Sequence, residues 1–484
     1  PQRTHSSMVF TEDVFLFYFL PLVLLVYYLI PFQENPKPGK SRYWMRNLWL
    51  TIVGYVFYSW FEPWFVLPMM FTNVADYLFG LYLGRDDVPG GRRKTVLVLS
   101  MVMNLGLLGI FKYGVFTQEN LNHLLAAVGR PTFSVLQIAF PIGISFYTFH
   151  SMSYIIDIYR GERPVKSFAD FSCFVSLFPQ LVAGPILRYN VLSQQLHSRA
   201  HSLTLFARGV MLFFLGFAMK ILLANPVGRI ADAAFAAQSP HAWDAWWGVL
   251  AYAFQIYFDF NGYSVMALGL GMMFGFELIR NFNAPYHADS ITDFWRRWHI
   301  SLSSWLREYL YISLGGNRKT EARTYVNLAL VMLLGGLWHG SQWQFIFWGG
   351  IHGTMLGLER WGGKKPFYAN LPRQVRVGVT FFVVLITWVF FRADGLPHAF
   401  GYLGSMFGLG HPGPFSTLLR AEIYHSHDIL NMLVCAVAVI QPVQSYEFGS
   451  RLTWGKFAVV FTLFLFGVVM MYTQAFNPFL YFQF

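Results

Sequence analysis

The chain has 484 residues, of which 55% are hydrophobic and 19% aromatic, with only 12% charged and a formal net charge of +11. A soluble globular protein carries roughly 25% charged residues, so a water-soluble enzyme is excluded and an all-α polytopic membrane protein is expected. The positive balance does not point to nucleic acid. The basic residues gather in short loops (Lys37, Lys40, Arg42 and Arg46; Arg85, Arg92, Arg93 and Lys94; Arg160, Arg163 and Lys166), as they do in cytoplasmic loops between spans.

Pro1–Ser7 precedes Met8 and reads as a leftover of expression, so residues 8–484 are expected to form a single membrane domain. Apolar runs approaching the ~20 residues that cross a bilayer predict spans at Val14–Phe32, Asn47–Phe61, Trp64–Leu83, Val96–Tyr113 and Ile138–Tyr159. If the first span runs inward, all three basic loops fall on the cytoplasmic side and the N-terminus lies outside. In Thr117–Gly129, Leu121, Leu124, Leu125 and Val128 recur at helical spacing among polar neighbours. That pattern predicts a separate interfacial helix.

Phe171–Tyr189 is apolar but is interrupted by Pro179, Gly184 and Pro185, which predicts a re-entrant segment. Trp243–Phe276 is too long for one upright crossing, so it tilts steeply or bends near Asn261-Gly262. Phe345–Leu358, Val377–Phe391, Ile429–Val443 and Phe457–Thr473 are further spans, and the total comes to about eleven.

Two stretches carry chemistry. Asp293–Tyr311, read as one helix at 100° per residue, gathers Asp293, Arg296, Arg297, Arg307 and Glu308 on one face. Trp295, Trp298, Leu302 and Trp305 fall opposite, and His299 sits at the edge of that apolar arc. The arginines fit phosphate recognition, since guanidinium binds phosphate bidentately, or a snorkelling cytoplasmic rim. His299 is either functional or a histidine bonded to a neighbouring helix.

The second stretch, Leu333-Leu-Gly-Gly-Leu-Trp-His-Gly340, is apolar apart from His339. Its glycines allow close backbone approach and are expected to interrupt the helix. A buried imidazole stays neutral and able to accept a proton, which suits general-base work; a packed core histidine is the plainer alternative. Asp259 and Asn261 in Tyr257-Phe-Asp-Phe-Asn-Gly-Tyr263, and His352 in Gly349-Gly-Ile-His-Gly353, are further polar candidates. Cys173 and Cys435 match no metal or redox spacing, and His197 and His201 lack a third ligand nearby, so no metal site is expected.

These stretches, with Pro141-Ile-Gly-Ile-Ser-Phe-Tyr147, Phe178-Pro-Gln-Leu-Val-Ala-Gly-Pro-Ile-Leu-Arg188, Asn283-Ala-Pro-Tyr286 and Tyr311-Ile-Ser-Leu-Gly-Gly-Asn-Arg318, resemble the membrane-bound O-acyltransferase family. The likeness runs over nearly the whole chain and is greatest to the bacterial branch that O-acetylates alginate-type exopolysaccharides. It implies a ring of tilted helices, with re-entrant and interfacial pieces, around a central tunnel. It implies that His339 is the essential catalytic residue and that His299 lines the same tunnel. His299 is a second catalytic candidate, as a stabiliser of the oxyanion, and Trp295, Trp298, Trp338, Asp259, Asn261 and His352 are further lining candidates.

The donor expected from the resemblance is a cytoplasmic thioester, acetyl-CoA, with Arg296, Arg297, Arg307, Arg318, Lys319 and Arg323 holding its phosphates. No permanently bound cofactor is expected. The expected partner is a periplasmic or membrane-anchored acetyltransferase or acceptor protein at the bacterial inner membrane. Acetylation of cellulose or peptidoglycan by the same chemistry is an alternative, as is a noncatalytic scaffold for polysaccharide export. A proton-relay transporter predicts an inverted repeat and paired intramembrane carboxylates, and the sequence shows neither.

Overall fold

The computed structural model describes residues 8–33, 41–182, 184–237, 239–410, 416–474 and 479–480. Pro1–Ser7, Lys37 and Lys40, to which the sequence assigned a role, lie outside them. Every regular element among the described residues is helical. Five helices are long and apolar enough to cross a membrane: Pro63–Leu83, Gly90–Ala127, Leu203–Ala236, Arg373–Arg392 and Trp454–Thr473, with Val14–Leu29 and Ser426–Ile440 as shorter apolar helices. The chain groups into two compact units, Pro1–Gly209 with Leu270–Ile279, and Val210–Gly269 with Arg280–Phe484.

The first unit contains the predicted early spans as Val14–Leu29, Trp44–Ser59, Val66–Leu83 and Ile144–Tyr159. Its core is sealed by polar groups that satisfy one another. Asp76 accepts from Ser100 Oγ at 2.6 Å and Asn104 Nδ2 at 2.8 Å. Asp170 accepts from Ser41 Oγ at 2.9 Å and Asn47 Nδ2 at 2.6 Å, and Arg199 donates to Asn47 Oδ1 at 2.7 Å. Asp76 has both oxygens occupied and Asp170 takes both bonds on Oδ1, partners of the kind that let a carboxylate persist in a poorly solvating interior. Arg46, which the sequence reading placed among the loop charges, is buried and donates from Nε to Ile30 O at 2.8 Å.

Some predicted boundaries change and others hold. Thr117–Gly129 is not a separate helix, because Gly90–Ala127 runs unbroken for 38 residues. At 1.5 Å per residue it is about 57 Å long, nearly twice the hydrocarbon thickness of ~30 Å. Its polar end clamps the following extended segment instead: Asn122 exchanges two hydrogen bonds with the Phe133 backbone, and Gln118 Oε1 accepts from Leu136 N–H. Phe171–Tyr189 is broken as expected, into Phe168–Ser176 and Phe178–Leu181 with the start of Tyr189–His197. Ala242–Met273 passes straight through Asn261-Gly262 as helix. Finally, Leu203–Ala236 was not delineated from the sequence as a span.

In the second unit, the Glu321–His339 and Trp343–Trp361 helices form a close antiparallel pair. A Cβ on Gly336 would collide with Phe345 O, and one on Gly349 would collide with Met332 O. Glycine therefore sets the separation of the two backbones here. The helix does not break at Gly335-Gly336 as expected; it continues to His339 and stops at Gly340.

Candidate active site around His339

His339 is the last residue of its helix, and the extended backbone at Gly340 turns the chain back into the Trp343–Trp361 helix. A Cβ on Gly340 would strike the Phe345 ring, so the tight return requires glycine. The His339 side chain is thereby held against aromatic rings. Its centroid lies 5.0 Å from Trp338, 5.3 Å from Trp348 and 5.2 Å from Phe391, each approached edge to face.

The predicted helix Asp293–Tyr311 is divided into three, so its single charged face does not exist. Ile291–Arg297 ends at Trp298, and His299 takes a left-handed backbone (φ 43°, ψ 55°) before Ile300–Trp305 begins, followed by a π-helical turn at Leu306–Tyr311. A non-glycine residue in that region costs about 1–3 kcal/mol and persists only where its surroundings dictate it. Asn281 supplies part of that constraint: its backbone carbonyl accepts from Ile300 N–H at 2.9 Å and its Oδ1 from Ser301 N–H at 3.2 Å. The preceding helix is anchored by Glu359, whose carboxylate accepts from Ile291 N–H at 2.7 Å and Thr292 N–H at 2.9 Å. Its negative charge also suits a helix N-terminus.

The turn places the His299 ring 6.2 Å from that of His339, centroid to centroid. His299 is fully buried, with Phe260 at 4.7 Å and Trp338 at 5.9 Å. The two histidines, forty residues apart in sequence, are thus neighbours.

His339 lines a cavity of about 20 Å³ whose other walls include Asp259, Phe260, Trp298, Trp348 and Trp388. That is room for about one water molecule. Of the predicted lining residues, Asp259 and Trp298 are on the wall, whereas His299, Trp295, Trp338, Asn261 and His352 are not among its lining residues. Trp295 and His352 stand one layer back: Trp295 Nε1 donates to His352 Nδ1 at 3.3 Å, and the His352 ring packs on Trp348 at 4.9 Å. Asn261 is buried in the same helix as Asp259.

Of the basic cluster, Arg296, Arg307, Arg318, Lys319 and Arg323 are exposed. Arg297 is committed in part, with Nε on Asp293 Oδ2 at 2.7 Å. In the first unit, the His201 ring bonds to Tyr27 OH at 2.8 Å, which gives it a structural role.

Sequence reasoning missed Lys220. Its ammonium is buried and pairs with Asp259 Oδ1 at 2.5 Å, while Asp259 Oδ2 accepts from Leu480 N–H at 2.9 Å. The signal was present: Lys220 is the single charge within the apolar run Val210–Ala224, and an ionisable residue in such a run is a candidate by default. Glu359 and Asn281 were also missed, and nothing in their local sequence marks them.

The model of the membrane-bound O-acyltransferase family matches residues 113–392. A probable alginate O-acetylase of Azotobacter vinelandii is 42% identical, over 99% of this chain and 100% of its own length. The protein of that name from Pseudomonas aeruginosa is 47% identical over 86% of this chain and 78% of its own length. A peptidoglycan O-acetyltransferase of Helicobacter pylori is 31% identical over 99% and 98% respectively.

Proposed function

Since the chain belongs to the membrane-bound O-acyltransferase family and is an acyltransferase, we propose that it transfers acetyl groups from cytoplasmic acetyl-CoA to a hydroxyl acceptor across the membrane, for O-acetylation of an alginate-type exopolysaccharide. The observation that carries this reading is the His339 imidazole on the wall of a small, mostly aromatic cavity that the buried Asp259 carboxylate also lines. Identity of 42–47% to proteins named for alginate acetylation supports that polymer over peptidoglycan, where the named relative is 31% identical. The site belongs to the bacterial inner membrane in this reading, within a ring of about eleven tilted helices whose N-terminus lies outside.

In the reaction, His339 takes the proton of the acceptor hydroxyl while its oxygen attacks the thioester carbonyl. The new C–O bond forms, the C–S bond breaks, and the departing thiolate recovers the proton from His339. General-base assistance of this kind contributes about 10²–10⁴ in rate, and the dry aromatic walls keep water from competing. An acetyl group exceeds the space present, so the Trp298, Trp348 and Trp388 rings part when the donor binds. Arg296, Arg297, Arg307, Arg318, Lys319 and Arg323 hold the phosphates of coenzyme A. His299 acts on His339 through Trp338, whose ring touches both, and is a positioning residue. The product passes to a periplasmic or membrane-anchored acetyltransferase.

The test uses membranes containing the protein and its native acceptors, supplied with acetyl-labelled acetyl-CoA. Transfer of label out of the thioester is expected in the parent protein, with a fall of about 10²–10⁴ in a folded His339→Ala variant. Undiminished transfer in that variant would overturn the assignment.

A further inference from the structure

A second cavity in the same unit, of about 700 Å³, is lined in part by the polar side chains of Lys220, Asn225, Arg229, Asp232, Asn431 and Gln474. Phe466 and Met470 contribute apolar lining. The two cavities meet at one ion pair. Lys220 lines the large cavity, Asp259 lines the small one that holds His339, and the two are joined at 2.5 Å with both side chains buried. We infer that the large cavity receives the hydroxyl-bearing acceptor and that the Lys220–Asp259 pair is the closed partition between it and His339. This rests on the acyl-transfer reading above.

Amide and guanidinium groups among apolar side chains suit a hydroxyl-rich ligand, because each hydroxyl needs both donors and acceptors and can exchange into bonds such as Asn225 Nδ2 to Gln474 Oε1. An ion pair is suited to the partition. It fills the passage at rest, yet a polar ligand that offers replacement hydrogen bonds can separate it, which a purely hydrophobic plug would resist. While it stays closed, an acetyl thioester at His339 is shielded from water in the larger space. Lys220 and Asp259 are thus positioning residues that decide when the acceptor oxygen reaches the imidazole.

Two variants test this in membranes with native acceptors and labelled acetyl-CoA. Asn431→Cys introduces a thiol in the large cavity, while the natural Cys173 and Cys435 are buried. Its modification with a bulky methanethiosulfonate, verified by mass, is expected to abolish acetyl transfer while leaving acetyl-CoA binding unchanged. Unimpaired transfer in the fully modified protein overturns the acceptor site. Lys220→Ala combined with Asp259→Asn removes both buried charges and opens the partition. Hydrolysis of acetyl-CoA is expected to rise severalfold relative to transfer; a merely structural pair leaves that ratio unchanged, which overturns the partition. If the parent protein transfers no label, the underlying reading fails. If the parent is active and depends on His339 but either variant behaves normally, only this inference fails.

Discussion

The two units bury ionisable groups in different ways. In the first, Asp76 and Asp170 each receive two short side-chain hydrogen bonds, and Arg199 divides its guanidinium between Asn47 and Tyr27. In the second, His339 and Asp259 face a cavity, and Lys220 joins that cavity to a larger one. Burial of a charge therefore does not by itself mark chemistry; open space beside the charge does. Asp76 holds helices together, whereas Asp259, although its oxygens are also taken by Lys220 and Leu480 N–H, stands on a cavity wall where a ligand can compete for those bonds.

Substitutions can break that contrast, and His339→Ala is expected to have the largest effect. It should remove about 10²–10⁴ in transfer rate, or roughly 3–5 kcal/mol of barrier lowering, while thermal unfolding changes little. Asp76→Ala should do the opposite. It deprives Ser100 and Asn104 of their acceptor at about 1–3 kcal/mol for each group left unsatisfied, which a lowered unfolding midpoint would report, with activity per folded molecule retained. If Asp76→Ala instead abolished transfer in folded protein, the division of roles would be wrong.

Glu359 lies in the second unit, yet like Asp76 it has both oxygens bonded and is not on the wall of the His339 cavity. Glu359→Ala uncaps the Ile291–Arg297 helix and is expected to cost about 2 kcal/mol. Weaker acetyl-CoA binding should accompany it, since that helix carries Arg296 and Arg297. The smallest effect belongs to Arg296→Ala. An exposed guanidinium contributes up to about 1 kcal/mol to an ion pair, so the donor KM should rise severalfold with kcat unchanged. An unchanged KM would exclude Arg296 from the donor site.

Much of this organisation was legible in the chain. Apolar length located most of the spans, and Pro179 and Gly184-Pro185 foretold the broken segment. Two isolated imidazoles, His299 and His339, marked the place where the structure brings their rings within 6.2 Å. What periodicity missed were the places where tertiary contacts override it. A repeating pattern at 100° per residue runs through His299, but Asn281, eighteen residues away, supplies hydrogen bonds that hold a left-handed turn there. Gly335-Gly336 looked like a helix break, yet the adjacent helix needs that surface for close packing. The Lys220–Asp259 pair joins residues thirty-nine positions apart, so neither residue could indicate its partner from local sequence.

Acyl transfer is assigned above to the His339 cavity. A structure with a non-hydrolysable acetyl-CoA analogue bound tests it most directly. The thioester carbonyl is expected in the enlarged cavity beside His339, with the Trp298, Trp348 and Trp388 rings moved apart and the phosphates against the exposed arginines. An analogue whose carbonyl lies elsewhere, with the His339 cavity unchanged, would contradict it.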